Sequence, residues 1–178
     1  MRLVTITAMT GRPQPDEVAP YFFTYIDKAA GDDPFEAIKN QLEECRQFFS
    51  TISEEKSQHR YAPGKWSIRQ VLNHITDTER AFAFRALWFA RGFDTPLPSY
   101  EQEISAAGAN ADAFPWAAHV EEFMHVRLAT ISLFQNLPSA AWMRKGIAGG
   151  NPFTVRALGF IIPGHVTHHL NIVRERYL

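Results

Sequence analysis

Cysteine is almost missing from this chain: Cys45 is the only one, so no intrachain disulfide can form and a reducing compartment fits better than secretion. Excess charge is missing too. Lys and Arg number 18 against 19 Asp and Glu, a formal charge of −1, so the chain lacks the basic footprint that nucleic acid or an anionic membrane would call for, and both are disfavoured as partners. No apolar run continues far enough to span a bilayer before Arg, Pro or Gly interrupts it. Residues 1–10 carry one basic residue and an apolar run broken by threonines, too weak a pattern for a secretory signal, and the expected location is cytoplasmic. Internal repeats, low-complexity stretches and convincing apolar/polar alternation of the strand type are also lacking.

What is present is helical periodicity. At 178 residues and 46% hydrophobic the chain can bury one good core, and the expectation is a single domain over 1–178 with an irregular lead-in over 1–33. Pro13, Pro15, Pro20 and Gly31 break up residues 11–33 and leave room for one short helix around 22–28. A first long helix is expected over 34–52, with Phe35, Ile38, Leu42, Cys45, Phe48 and Phe49 at helical spacing and Pro34 in the first turn. Ser67 with Gln70 makes a capping box that starts a second helix running to about residue 91. Residues 92–113, with Pro96, Pro98 and Gly108, form a loop long enough to cross the end of a bundle, the kind of loop that carries function. A third helix fits 115–137 through Val120, Phe123, Met124, Leu128, Ile131 and Phe134. After a loop over 146–152, a fourth runs over 154–177, with Pro163-Gly164 expected to kink it. Four long amphipathic helices imply an all-α four-helix bundle with a long loop between helices 2 and 3.

The chemistry concentrates in histidine. His165 and His169 are four residues apart, on one face of the last helix with Leu158, Ile162 and Ile172, while His74 shares an inward stripe of the second helix with Val71, Ala81 and Trp88. Three neutral imidazoles from two facing helices would hold a metal ion with a position open to water or substrate, in the style of a catalytic site. An inward histidine is also commonly a hydrogen-bonded core residue, and spacing alone leaves both readings open. His168 is rotated off the stripe and reads as a flanking group. His59, His119 and His125 have no comparable partner and read as surface residues. Glu122 and His125 form one Glu-x-x-His step, but a di-metal bundle needs a second copy, which the sequence lacks.

The ordered set Arg60-Tyr-Ala-Pro-Gly-Lys-Trp-Ser67, His74-Ile-Thr-Asp-Thr-Glu-Arg80, Asp94-Thr-Pro-Leu-Pro98, Gly164-His-Val-Thr-His-His169 and Arg174-Glu-Arg-Tyr177 resembles the DinB superfamily, also called DinB/YfiT-like, over roughly residues 12–178. The resemblance implies a four-helix bundle with a divalent metal held by three histidines, carried over here to His74, His165 and His169. It implies a metal-dependent enzyme acting on a small molecule, either a thiol-dependent transferase using a low-molecular-weight thiol or a hydrolase. The alternative is a non-catalytic or stress-associated protein with a structural metal. Zinc or nickel is the first expectation for the ion, with iron or manganese behind them. Homodimers are frequent in the superfamily, so a homodimer is among the expectations.

Four further residues are candidates around such a site. Asp77 could accept the second ring N–H of His74, or pair at the surface. Glu79 points at the core and is expected to pair with Arg127, Arg174 or Arg176. Arg85, on the His74 stripe, could face the pocket and bind an anionic group. His168 completes the set. Trp66 is expected to pack against the start of its own helix.

Overall fold

The computed structural model describes residues 11–178. Six α-helices form in order: α1 (Phe23–Ile26), α2 (Pro34–Ser50), α3 (Ile68–Ala90), α4 (Gln102–Ala109), α5 (Trp116–Gln135) and α6 (Val155–Arg176). The four long ones make the bundle. Both α2 and α3 pack against α5 and against α6, so the first two long helices of the chain lie diagonally across from one another. The long 51–67 connection makes that arrangement reachable, where a short turn would force them to be antiparallel neighbours.

Local chemistry explains where the helices begin. The Asp33 carboxylate accepts from the N–H groups of Phe35 and Glu36 (2.9 and 3.1 Å), with Pro34 in the first turn of α2. At α3 the Ser67 hydroxyl accepts from Gln70 N (3.1 Å) and the Gln70 side chain accepts from Ser67 N (3.0 Å), a complete capping box. Thr154 caps α6 through Ala157 N (3.0 Å). The helix assignment in α6 runs unbroken through Pro163.

Two regions depart from expectation. Residues 145–154 are an antiparallel hairpin, β1 (Lys145–Ala148) with β2 (Asn151–Thr154), joined through Gly149-Gly150 at φ +55° and +76°. Two adjacent glycines in the left-handed region are what a two-residue hairpin turn requires, so the strand signal lay in the Gly-Gly pair and not in alternation. The 92–113 loop is partly helical, containing α4, and Leu97 is tied to the hairpin by Leu97 N to Ile147 O (2.9 Å) and Gly149 N to Leu97 O (3.0 Å). Within the bundle, α5 also differs in which residue it buries. Leu128, expected in its apolar stripe, is 50% exposed, while Arg127 is wholly buried.

The core divides into two apolar clusters with a polar belt between them. On α6, residues 155–162 belong to one cluster and Val166, Leu170 and Val173 to the other. On α3 the division falls between Ile75 and Phe82, on α2 between Ile38 and Cys45, and on α5 between Met124 and Phe134. The belt crosses all four helices. Arg127 donates through Nε and Nη2 to both oxygens of Glu79 (2.9 and 2.8 Å) and through Nη1 to Ile38 O and Gln41 Oε1 (3.1 and 2.9 Å). Gln41 Nε2 in turn donates to Pro163 O and Thr167 Oγ1 (2.9 and 2.8 Å). His165 falls at the division on α6, and His74 lies just before Ile75 on α3.

The lead-in is fixed to the start of α6. The Glu17 carboxylate is 2% exposed and accepts from Thr154 Oγ1 (2.8 Å), Gln14 N (2.9 Å) and the Arg156 guanidinium. Burial pushes its pKa up from 4.5, but the hydrogen bonds from Arg156, Gln14 and Thr154, with the charge of Arg156, outweigh it and hold it lower. A carboxylate with a depressed folded-state pKa contributes stability above its unfolded value, and that stability drains away as pH falls through the folded value. Glu17→Gln should therefore cost about 1–3 kcal/mol at pH 7 and progressively less below pH 4. Urea midpoints at pH 7 and pH 3 measure this, and a pH-independent difference would remove Glu17 from the account.

Candidate metal centre

His74 comes from the middle of α3, and His165 and His169 from successive turns of α6 just past Pro163-Gly164. One ligand atom from each lies within 4.8 Å of the other two. The ring centroids of His74 are 5.1 Å from His165 and 4.8 Å from His169, and Nε2 of His165 is 3.1 Å from Nε2 of His169. With metal–nitrogen bonds of about 2.0–2.1 Å, neighbouring ligand nitrogens of one ion are roughly 2.9–3.4 Å apart. The α6 pair has that spacing.

Electrostatics favours the ligand form of each ring. His74 and His165 are buried, and His169 is partly so. Burial takes His74 down to about 4, and burial with the neighbouring His74 and His168 takes His169 to about 3. At His165 burial again leads, reinforced by His169, His74 and His168, and the pKa falls well below 6.5. All three are neutral at pH 7, with lone pairs available to a cation. Thr78 Oγ1 lies 3.3 Å from His74 Nδ1, one turn along α3, and is placed to orient that ring.

The surroundings are aromatic on one side and open on another. The Tyr25 ring on α1 stands edge-on to His165 and His168 (5.2 and 5.4 Å), and Trp66 lies tilted over His74 at 5.1 Å. Trp66 thus covers a histidine besides packing beside its own helix. A cavity of about 190 Å³ opens next to the histidines, bounded by α3, α6, the Ser99-Tyr100 segment and the hairpin turn. The 92–113 loop, through Ser99, Tyr100 and Gln102, therefore does reach the site.

The other candidates separate cleanly. Asp77 does not support His74; its oxygens take Arg80 Nη1 (3.1 Å) and Ser105 Oγ (3.2 Å), and Thr78 holds the ring instead. The step from Asp77 to Thr78 turns the side chain by about 100° around the helix, from the α4 side toward the interior. Glu79 is in the buried pair with Arg127, away from the histidine rings. His168 is half-buried, its ring 5.0 Å from that of His169, outside the convergent three. Arg85 lines the cavity. His119 is not a surface residue: it is 4% exposed, with Nε2 2.8 Å from Ala111 O. Thr78, Tyr25 and Tyr100 were missed, because a hydroxyl on an inward helical stripe or in a loop carries no spacing signal.

The pattern that describes the DinB superfamily matches residues 37–173. The chain belongs to the DinB superfamily. Among curated proteins none matches it. Of solved structures, YfiT from Bacillus subtilis, described as a probable metal-dependent hydrolase with an unusual four-helix bundle topology, superposes with a TM-score of 0.65 at 15% identity, over 93% of this chain and 91% of that one. A variant of the mycothiol-dependent maleylpyruvate isomerase superposes with a TM-score of 0.64 at 10% identity, over 81% of this chain, which spans 59% of the isomerase. Both likenesses are of fold. The diagonal placement of α2 and α3 makes this DinB bundle differ from a simple up-and-down one. No helix among the described residues is long and apolar enough to cross a membrane.

Proposed function

We propose that this DinB protein is a divalent-metal-dependent enzyme acting on a small molecule, with His74, His165 and His169 as the metal ligands. The observation that carries the reading is the convergence of three desolvated, neutral imidazoles on one point at the wall of a cavity. Zinc or nickel suits that donor set first, and iron or manganese after them. Bound there, such an ion would supply Lewis acidity and lower the pKa of a water or thiol. The chain's own residues do the rest. Thr78 orients His74, Tyr25 and Trp66 exclude bulk water from the rings, and the cavity admits the substrate from the side of the 92–113 loop.

Cys45 is out of reach as a nucleophile, since it is buried in the apolar cluster beyond the belt and burial drives its thiol up to about 12. A thiol or water nucleophile at the metal would then come from outside, as water in a hydrolase or as a low-molecular-weight thiol in a transferase. The described relatives, a probable metal-dependent hydrolase and a mycothiol-dependent isomerase, support both branches.

Elemental analysis of protein purified without a His tag, beside His74→Ala and His169→Ala, tests the site. Near-stoichiometric metal in the wild type, lost in both variants, is expected. Thr78→Val should weaken metal binding about 10–100-fold, as loss of a ring-orienting partner does elsewhere. A wild type that stays metal-free after incubation with zinc, nickel, iron(II) and manganese overturns the proposal. Turnover of ester and amide panels, with and without added thiols, separates the two branches. Full metal with no turnover in either panel would favour a structural metal in a non-catalytic protein.

A further inference from the structure

Arg85 stands on α3 about three helical turns beyond His74 and faces the same cavity. It is 9% exposed, yet its one hydrogen bond is a long one, from Nη2 to Pro98 O at 3.5 Å. Among the described residues no carboxylate is paired with it, and burial alone pulls its pKa down. A guanidinium carries five N–H donors. Arg127, which is deeper still, spends its donors on Glu79, Ile38 O and Gln41, whereas Arg85 keeps nearly all of its own unspent. The Tyr100 hydroxyl is a second orphan, buried without a partner and lining the same cavity. A buried hydroxyl without a partner and a guanidinium with most of its donors unspent, on one cavity wall, are what a site shows when its partner is a ligand.

We propose that Arg85 and Tyr100 form a carboxylate-binding subsite, and that the substrate is a small monocarboxylate whose reacting group extends to the histidine end of the cavity. The inference rests on the metal reading for that reacting end alone; the subsite stands on the unspent donors of Arg85 and the unpartnered hydroxyl of Tyr100. Among the described residues no acidic side chain lines the cavity and Arg85 is the one permanent cation on its wall, so one carboxylate is matched in charge and can take a forked pair of hydrogen bonds. The intervening wall is aromatic. Phe82 lies 5.6 Å from Arg85 Cζ and 6.2 Å from the His165 ring, while Phe153 lies 5.8 Å from Arg85 Cζ. The part of the substrate that joins the acid to the reacting group is therefore apolar or planar.

Calorimetric titration with benzoate and with its neutral counterpart benzamide tests this on metal-loaded protein and on protein stripped of metal by a chelator. Benzoate should bind the wild type at least about tenfold more tightly than benzamide, and Arg85→Gln should remove that preference. Tyr100→Phe should weaken benzoate about three- to tenfold, and Arg85→Lys, which keeps the charge but not the fork, should retain part of the preference. Should Arg85→Gln fail to fold, the benzoate-to-benzamide ratio in the wild type and Tyr100→Phe carry the test. Benzoate binding that survives metal removal and depends on Arg85 establishes the subsite even if the metal reading falls. Binding lost with the metal and indifferent to Arg85 overturns the subsite and leaves the metal centre standing. Equal affinity for benzamide, or tighter binding of inorganic phosphate than of benzoate, overturns it as well.

Discussion

Arg127→Met should destabilise the protein by about 3–5 kcal/mol, because it strands the buried Glu79 carboxylate with no cation to neutralise it. Both partners are essentially inaccessible, at 0% and 1% side-chain exposure, and the pair is bidentate at 2.9 and 2.8 Å. The same change leaves Ile38 O and Gln41 Oε1 without their donor, so the loss spreads to α2. Glu79→Met alone should cost a comparable amount by stranding the guanidinium. The double variant Arg127→Met/Glu79→Met should recover most of the loss, since two apolar groups of similar volume join the clusters on either side without any unpaired charge. Urea midpoints of the four proteins give the coupling directly. Costs that simply add would mean that the two residues act independently and that the belt is not one network.

That belt also marks where sequence reading stops. Helix periodicity exposed the four long segments, and Ser67 with Gln70 located the start of α3 to the residue, because a capping box is a local device whose partners are three residues apart. The α6 histidine pair was visible for the same reason: four residues of helix bring two rings together whatever the rest of the chain does. Arg127 and Leu128 show the opposite case. An isolated hydrophobic stripe would bury the leucine, yet the arginine goes inside because Glu79 waits on α3 and Gln41 on α2, and those partners are remote in sequence. Local pattern cannot report a partner 48 or 86 residues away. Likewise the chemistry of Asp77 left two roles open, support for His74 or a surface ion pair, and only the fold decides: Ser105 on α4 and Arg80 draw its carboxylate outward, and the hydroxyl of Thr78 stands beside the ring instead. His119 went unrecognised as a core residue because its acceptor, Ala111 O, belongs to a turn whose position depends on tertiary packing.

Gly164→Ala should be the most damaging single-methyl change near the histidines. A Cβ built on Gly164 would lie 1.9 Å from Tyr25 O and 2.6 Å from Tyr25 C, so α1 rests its backbone directly on α6 at the residue before His165. Backbone atoms cannot swing aside as a side-chain tip can. The end of α1 must therefore move outward by more than an ångström, although Arg12 ties it in place through Ile26 O and Ala29 O (2.8 and 2.7 Å). Alanine is the better helix former by about 0.8–1.0 kcal/mol, but the overpacking should exceed that gain and leave a net loss of about 2–3 kcal/mol. Gly108→Ala in α4 is the matched control, because a Cβ there meets nothing within 4 Å and helix propensity alone should act, stabilising by about 0.5–1 kcal/mol. Opposite signs for one chemical change in two helices would isolate the contact as the cause. Displacing α1 also lifts the Tyr25 ring from His165 and His168, admitting water beside two rings whose pKa burial holds down. Metal affinity measured by competition should then fall in Gly164→Ala and stay at the wild-type level in Gly108→Ala. Unchanged stability in Gly164→Ala would show that α1 is not packed on α6 at this point, and would remove the glycine from the account of how the site is built.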